Sequence, residues 1–378
     1  MISPKLFYKV CKENGISFFT GVPDSLLKEF CAYIDENTDA SSHVIASNEG
    51  TAIGLAAGYY LGSGSLPLIY LQNSGLGNTI NPILSLCDRE VYSIPIILLI
   101  GWRGEKGIKD EPQHIKQGRV TPSMLESMEI PFKLITKNEN QSILNLKWAI
   151  ETAKTSNGPV ALLVQKDSFD KFVNKKIINN KNSQYISREN AISIITENIS
   201  NKSIIVSTTG MISRELYEKR TESKQDRSKD FLTVGSMGHA SQIALGIAKA
   251  NPKKNIVCLD GDGAVLMHLG GMATIGTNYN GNLLHIVLNN GAHDSVGGQP
   301  TVAQNISLTL IAKACGYKYI EGPIKDKNEI INAIDRFKNI SGMCFLEIYV
   351  DKGYRNNLGR PKESPIHNKE IFIRNIRS

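Results

Sequence analysis

The sequence predicts an α/β protein of two domains, each a mostly parallel sheet flanked by helices. Three observations carry this. Short strand-like runs alternate with helix-like segments through most of the chain. The runs are apolar throughout, as in strands covered on both faces. The alternation breaks once, over polar Lys/Asn-rich residues, and then resumes. The expected boundaries are 1–168, a join at 169–187, and 188–378. With 378 residues, 41% hydrophobic and 21% charged, the chain has room for two ordinary cores.

Strands are expected at "SFFTGVP", "SHVIAS", "PLIYLQN", "IPIILLIG" and "GPVALLVQKD" in the first half. In the second half they are expected at "SIIVSTTG", "NIVCLDGDG", "LLHIVLNNG" and "MCFLEIYV". Sheets of this kind bind ligands beyond the carboxyl ends of their strands. Polar residues gather there: "GVPD" with Asp24, "SNEG" with Glu49, "QNSG" with Asn73 and Ser74, and "IGWRG" with Arg103. The second half adds "STTG" with Thr209 and Gly210, then "DGDG", then "LNNG" with Asn290. One such end is ordinary turn chemistry. Seven across two domains read as a site.

Several function classes are disfavoured. The formal net charge is +7, but lysines cluster locally, as in "KFVNKKIINNK" at 171–181, and no basic stripe carries interleaved aromatics. A nucleic-acid partner is therefore not expected; the excess suits a strongly anionic small substrate. No run approaches the roughly 18 apolar residues needed to cross a membrane. The N-terminal Met1-Ile2-Ser3-Pro4-Lys5 does not read as a secretory signal. Six scattered cysteines without a close pair fit reduced thiols, so a cytoplasmic location and no membrane partner are expected.

The stretch "IVCLDGDGAVLMH", residues 256–268, is the most informative. An apolar strand stops on two carboxylates separated by glycine. An EF-hand would need an oxygen ligand at Ala264 and glutamate at Gly271. A P-loop would need Gly-Lys-Ser/Thr, and a dinucleotide fingerprint would need glycine at Leu266. What remains is a strand-end aspartate beside glycine amides that favour phosphate. The carboxylate would repel phosphate unless a cation sat between them. Mg²⁺ does this, using one or two protein oxygens, phosphate oxygens and water. A second oxygen ligand is then expected on a neighbouring strand. "LLHIVLNNGAHDS" supplies Asn289-Asn290 and a backbone carbonyl such as that of Ala292.

Gly261-Asp262-Gly263 followed by Asn289-Asn290 resembles the signature of thiamine-diphosphate (ThDP) enzymes. "VGSMG" at 234–238 is similar to the family's segment beneath the cofactor, and "SNEGTAIGLAAGYYL" to its glutamate helix. The three motifs stand in family order. The resemblance implies Mg²⁺ ligands at Asp262, Asn290 and the Ala292 carbonyl, with Asp260 left to the turn. It implies cofactor contacts at Thr209, Gly210, Gly235, Met237, Gly261, Gly263, Ala264 and Asn290. Glu49 would meet the pyrimidine N1′. The cofactor supplies its own base, the 4′-imino group, and that tautomer needs a proton at N1′ relayed by a buried carboxylate. The first domain would bind pyrimidine and the second diphosphate. Family members build each site from two subunits, so a homodimer or larger homo-oligomer is implied.

Larger relatives insert a third domain, for which the short join leaves no room. The compact form resembles the phosphonopyruvate and sulfopyruvate decarboxylases, through "TGVPDS", "QNSGLGN", "WRGEKGIKDEPQHIKQG", "NNGAHDSVGGQPT" and "LGRP". The implied activity is non-oxidative decarboxylation of a small anionic 2-oxoacid, phosphonopyruvate before sulfopyruvate, within phosphonate biosynthesis. A doubly anionic substrate wants cationic partners. Arg103 follows a strand end directly, and Arg355 and Arg360 are further candidates. His114 stands where larger decarboxylases carry a histidine pair, here Gln113-His114. Asp24, Asn73, Ser74 and His114 are candidates to deliver the proton after CO₂ leaves, and His293 to contact substrate. A non-catalytic subunit of the same fold is the contrasting reading; intact Glu49, Asp262 and Asn290 speak against it.

Overall fold

Branched and aromatic runs bounded by glycine, proline or asparagine form the strands, and the helices between them bury one stripe each. The computed structural model describes residues 1–172, 185–278 and 281–377. Of the join expected at 169–187, and of the lysine run at 171–181, residues 173–184 lie outside the described residues. The chain divides into two compact units, Met1–Lys181 and Asn182–Ser378.

The first unit runs α1 (Pro4–Glu13), β1 (Ile16–Gly21), α2 (Lys28–Asn37), β2 (His43–Ile45), α3 (Glu49–Ser63), β3 (Leu66–Gln72) and α4 (Leu76–Pro82). It continues with β4 (Ile97–Gly101), α5 (Pro112–Ser127), β5 (Phe132–Ile135), α6 (Glu139–Ser156) and β6 (Val160–Val164). Its six strands pair in parallel in the order β2-β1-β3-β4-β6-β5. Strand β3 explains the apolar runs: Leu68 and Tyr70 pack into one core and Ile69 and Leu71 into the other. Both faces are covered, so alternation is lost. Truncating Ile69 to alanine would cost about 2–5 kcal/mol.

The second unit runs α7 (Arg188–Asn198), β7 (Ile204–Ser207), α8 (Met211–Glu222), β8 (Asp230–Leu232), α9 (Ala240–Ala250), β9 (Asn255–Gly261), α10 (Asp262–Met267) and α11 (Gly270–Gly276). Then come β10 (Asn282–Asn289), α12 (Leu308–Ala314), β11 (Tyr319–Ile324), α13 (Lys327–Phe337), β12 (Met343–Tyr349) and α14 (Pro365–Ile376). The parallel order is β11-β12-β10-β9-β7-β8. Ile256 and Cys258 of β9 face one core, Val257 and Leu259 the other. Read from β8, this is the strand order of the first unit.

The order matters because it places the switch points. In the first unit the chain moves outward from β1 to β2 and then returns to β3 on the other side of β1. In the second unit it does so between β7 and β9. Loops diverge at these strand ends and leave a crevice for ligands. Asp24 follows β1 and Asn73 follows β3; Thr209 follows β7 and Asp262 follows β9. Among the described residues, no helix is long and apolar enough to cross a membrane.

Candidate active site

In the first unit, Glu49 opens α3. Asn48 caps that helix by accepting from the Gly50 amide at 2.8 Å, which fixes the first turn. The Glu49 carboxylate is buried; Oε2 accepts from Asn78 Nδ2 at 2.8 Å. Its other end lies over Gly75, where an ideal Cβ would stand 2.5 Å from Glu49 Cδ. Only glycine at that position leaves the carboxylate where it is.

Asp24 is fully buried at the switch point. Its Oδ1 accepts from Gln72 Nε2 at 2.6 Å and its Oδ2 from the Leu26 amide at 2.6 Å. Burial pushes its carboxyl upward, against the opposing pull of Gln72, the Leu26 amide and the Arg103 charge. The exposed Ser74 hydroxyl donates to Gln72 Oε1 at 2.7 Å, so a chain of polar groups links Asp24 to the surface.

Arg103 lies close by, and its guanidinium is engaged. Nε donates to Asp110 Oδ2 at 2.8 Å, Nη2 to Asp110 Oδ1, and Nη1 to Ser25 Oγ at 2.8 Å. Asn73 clamps the Arg103 backbone: its Oδ1 accepts from the Arg103 amide at 3.1 Å and its Nδ2 donates to the Arg103 carbonyl at 2.8 Å. Nδ2 also donates to Thr121 at 3.0 Å, so the Asn73 carboxamide works inside the protein. His114, in the first turn of α5, is buried, and its Nδ1 has no partner among the described residues. Burial, then the Arg103 charge, pushes it down to about 4, so the ring is neutral at neutral pH.

In the second unit, strand β9 ends with Asp260 turned inward. Its Oδ1 accepts from the Gly261 amide at 2.9 Å, and its Oδ2 meets His285 Nε2 at 3.2 Å. His285 Nδ1 meets the Tyr317 hydroxyl at 3.0 Å. Cys258, Asp260 and His285 are close enough to suggest a metal cluster, but both ring nitrogens of His285 already have partners.

Asp262 is buried and accepts from the Thr301 hydroxyl. Burial pushes its carboxyl up to about 6; Thr301 and the Asn290 amide oppose this, and the nearby Asp294 charge adds to it. On the neighbouring strand, Asn290 Oδ1 accepts from the Ala292 amide at 3.1 Å while Nδ2 donates to Asp294 Oδ2 at 2.6 Å. Gly263 lies against two other expected residues: a Cβ there would come 2.9 Å from His293 Cε1 and 3.3 Å from Met237 Cε. Gly210 adopts φ 93° and would bring a Cβ 2.6 Å from Ser295 Oγ. The "STTG" turn thus packs on the loop after β10. Ala264 is buried behind this group, and Thr209 and Gly235 are half-buried. Burial pushes His293 down to about 4.

These residues fit a hard divalent cation beside a phosphate. A buried carboxylate whose charge is disfavoured, next to a second carboxylate and an amide oxygen, gains most from a cation. A Cβ at Gly261 would meet Ile212 Cδ1 at 3.5 Å and Thr208 Cγ2 at 4.0 Å, ordinary contacts that leave the backbone there open to close approach. Asp24, Asn73, Ser74, Arg103 and His114 fall in one neighbourhood of the first unit. Asp262, Asn290, Ala292, His293, Gly263 and Met237 fall in one neighbourhood of the second. Arg355 is engaged by acids, donating to Glu189 at 2.8 Å and pairing with Glu218.

Sequence reading passed over Gln72, Asp110, Arg188, Asp294 as an anchor, Thr301 and Gln299. Gln299 is buried, and neither end of its carboxamide has a partner among the described residues. Its backbone carbonyl accepts from the His293 amide at 2.8 Å, which ties it to the same loop. A glutamine inside "VGGQPT" gave some signal; Arg188 in "SREN" gave none.

A family model described as "Thiamine pyrophosphate enzyme, N-terminal TPP binding domain" matches residues 4–124. A second, described as "Thiamine pyrophosphate enzyme, C-terminal TPP binding domain", matches residues 208–348. A phosphonopyruvate decarboxylase of Streptomyces viridochromogenes is 33% identical over 366 residues, covering 93% of this chain and 89% of that one. One of Streptomyces hygroscopicus is 31% identical over 364 residues, covering 93% and 88%. A sulfopyruvate decarboxylase of Methanosarcina acetivorans is 27% identical over 370 residues, covering 92% and 91%.

Proposed function

Because this chain belongs to the thiamine-diphosphate-dependent enzymes, we propose that it removes CO₂ from 3-phosphonopyruvate, without oxidation, and releases phosphonoacetaldehyde. The observation that carries the choice of substrate is the 33% identity to a phosphonopyruvate decarboxylase across 93% of the chain. In the net reaction the bond between the carboxylate and the ketone carbon breaks, CO₂ departs, and one proton takes its place on that carbon.

When bound, ThDP supplies the electron sink that holds the pair left by the departing CO₂. This chain's residues do the rest. Glu49 holds a proton at the pyrimidine N1′. Asp262, Asn290 and the Ala292 carbonyl hold Mg²⁺, and Gly261 and Gly263 admit the diphosphate. Met237 and the Gly235 backbone support the pyrimidine, and Thr209, Gly210 and Ala264 line the diphosphate side. Asp24, whose charged form burial disfavours, is placed to take up a proton and deliver it after decarboxylation. Neutral His114 donates or accepts a hydrogen bond without adding charge. Arg103 has five N–H groups by chemistry; three are engaged by Asp110 and Ser25, leaving two for the phosphonate. Asn73 and Ser74 in the first unit, and His293 in the second, are the further substrate-binding candidates. Homo-oligomeric assembly, a cytoplasmic location and a place in phosphonate biosynthesis complete the reading.

Steady-state assays with phosphonopyruvate, sulfopyruvate and pyruvate test it, with Mg²⁺ and ThDP saturating. We expect kcat/KM to be highest for phosphonopyruvate; a preference for either alternative overturns the substrate assignment. Sulfopyruvate is the second reading, favoured by the 27% identity over 92% of the chain. Light scattering of the purified protein tests assembly, and a monomer would contradict it.

A further inference from the structure

Behind Asn290 lies a buried ionic network that the proposed chemistry does not use directly. Asp294 follows Asn290 in the loop after β10, and its Oδ2 collects three donors. They are Asn290 Nδ2 at 2.6 Å, Arg188 Nη1 at 2.8 Å and the Gly353 amide at 3.0 Å. Arg188 is itself buried at the start of α7. Its other donors reach Glu215 on α8, from Nε at 2.8 Å and from Nη2 at 2.9 Å, and the Gly353 carbonyl at 3.2 Å. Three segments of the second unit therefore meet at one carboxylate oxygen, and a fourth, α8, holds Arg188 through Glu215.

A carboxamide has two ends of nearly equal shape and opposite polarity. Asn290 is useful to a cation only with its oxygen presented and its N–H₂ turned away. Asp294 enforces that choice. In the observed orientation Nδ2 donates to a carboxylate, and Oδ1 is left on the other side, accepting the Ala292 amide. In the flipped orientation Oδ1 would stand against a carboxylate oxygen and Nδ2 would point at the cation, two repulsions at once. Arg188 keeps a second buried carboxylate tolerable beside Asp262, because a lone buried charge is costly while a paired, hydrogen-bonded one is not.

We infer that Asp294, pinned by Arg188 and the Gly353 amide, is a positioning residue that fixes the polarity of the Asn290 carboxamide and so sets divalent-cation affinity. This rests on the reading that Asn290 holds the cation. Groups behind metal ligands typically change affinity 10–100-fold.

The test uses the full chain with ThDP present, titrated with MgCl₂ and followed by calorimetry. Asp294→Asn keeps an acceptor oxygen in place of Oδ2; its apparent Kd for Mg²⁺ should stay within about 3-fold of wild type. Asp294→Ala removes the acceptor and should weaken Mg²⁺ roughly 10–100-fold, with kcat largely recovered at saturating Mg²⁺. If the alanine variant does not fold, Asp294→Ser, too short to reach Nδ2, gives the same readout. Equal loss in the asparagine and alanine variants would mean that charge, not polarity, matters, and overturns the inference. So does an alanine or serine variant with wild-type affinity, or a kcat loss that Mg²⁺ does not rescue. Wild-type protein that binds neither Mg²⁺ nor ThDP would instead overturn the underlying site assignment.

Discussion

Gly75→Ala isolates the position of one carboxylate. The backbone at Gly75 has φ −81° and ψ −9°, a conformation any residue adopts, so the substitution adds no backbone strain. Its effect is steric and local: the new methyl stands 2.5 Å from Glu49 Cδ and 2.6 Å from Glu49 Cγ. Carbon–carbon contact begins near 3.5 Å, so the carboxylate must retreat by roughly 1 Å. Such a retreat breaks the 2.8 Å bond from Asn78. A displacement of this size at a reacting centre costs about 10²-fold in rate. Stability should fall by only about 1 kcal/mol, because the crowded group is the end of a flexible chain. The assay is kcat together with the deuterium-exchange rate of the cofactor C2 proton, followed by NMR, and the Kd for ThDP. Both rates should drop about 100-fold while the Kd changes little. Gly77→Ala, where a Cβ meets nothing within 4 Å, is the control. A Gly75→Ala protein that exchanges C2 at the wild-type rate would refute the view that this gap exists to seat Glu49.

Other outcomes are expected on the same reading. Glu49→Gln should still bind ThDP but lose at least about 10²-fold in turnover, since general acid–base groups contribute 10²–10⁴; full activity in that variant contradicts the proton-holding role. Asp262→Ala should abolish Mg²⁺-dependent ThDP binding by calorimetry, and retained binding would remove it as a ligand. His114 has a folded-state pKa near 4 against an unbound 6.5, so the unfolded chain takes its proton first as pH falls. Its contribution is full above pH 6.5 and is lost on going down to pH 4, by at most about 3 kcal/mol; His114→Leu should flatten that part of the melting-temperature profile, and an unchanged profile would argue against it.

What the sequence made legible followed largely from burial, with the edge strand β2 in "SHVIAS" the exception. The inner strands β1, β3, β4, β6, β7, β9, β10 and β12 read as apolar runs because both faces are covered. The strands β5, β8 and β11 did not, and each is at or near a sheet edge, short or half-exposed. An edge strand packs against fewer neighbours, so its sequence is less constrained. The site divides in a similar way. Asp262 was visible as a carboxylate between glycines at a strand end, while Glu49 and Met237 were assigned through the resemblance to thiamine-diphosphate enzymes. Their supports were not: Thr301 reaches Asp262 from 39 positions away, and Arg188 reaches Asp294 across 106. Asn73 and Arg103 were visible as polar strand-end residues, but not the clamp between them, which depends on β3 lying beside β4.

The two switch points show how one strand order serves two chemistries. Each presents a buried carboxylate, Asp24 or Asp262, and burial raises both. The surroundings then differ. Asp24 receives neutral donors from Gln72 and the Leu26 amide and feels the positive charge of Arg103. Arg103 already supplies positive charge there, so nothing calls for a metal. Asp262 instead feels a second carboxylate, Asp294, and has a carboxamide oxygen beside it. Arg188 already pairs with Asp294, so Asp262 is the carboxylate left without a cation of its own among the described residues, and Asn290 presents an amide oxygen to share one. The repeated sheet therefore supplies position alone. Whether a cationic side chain already faces the aspartate decides if that position calls for an ion.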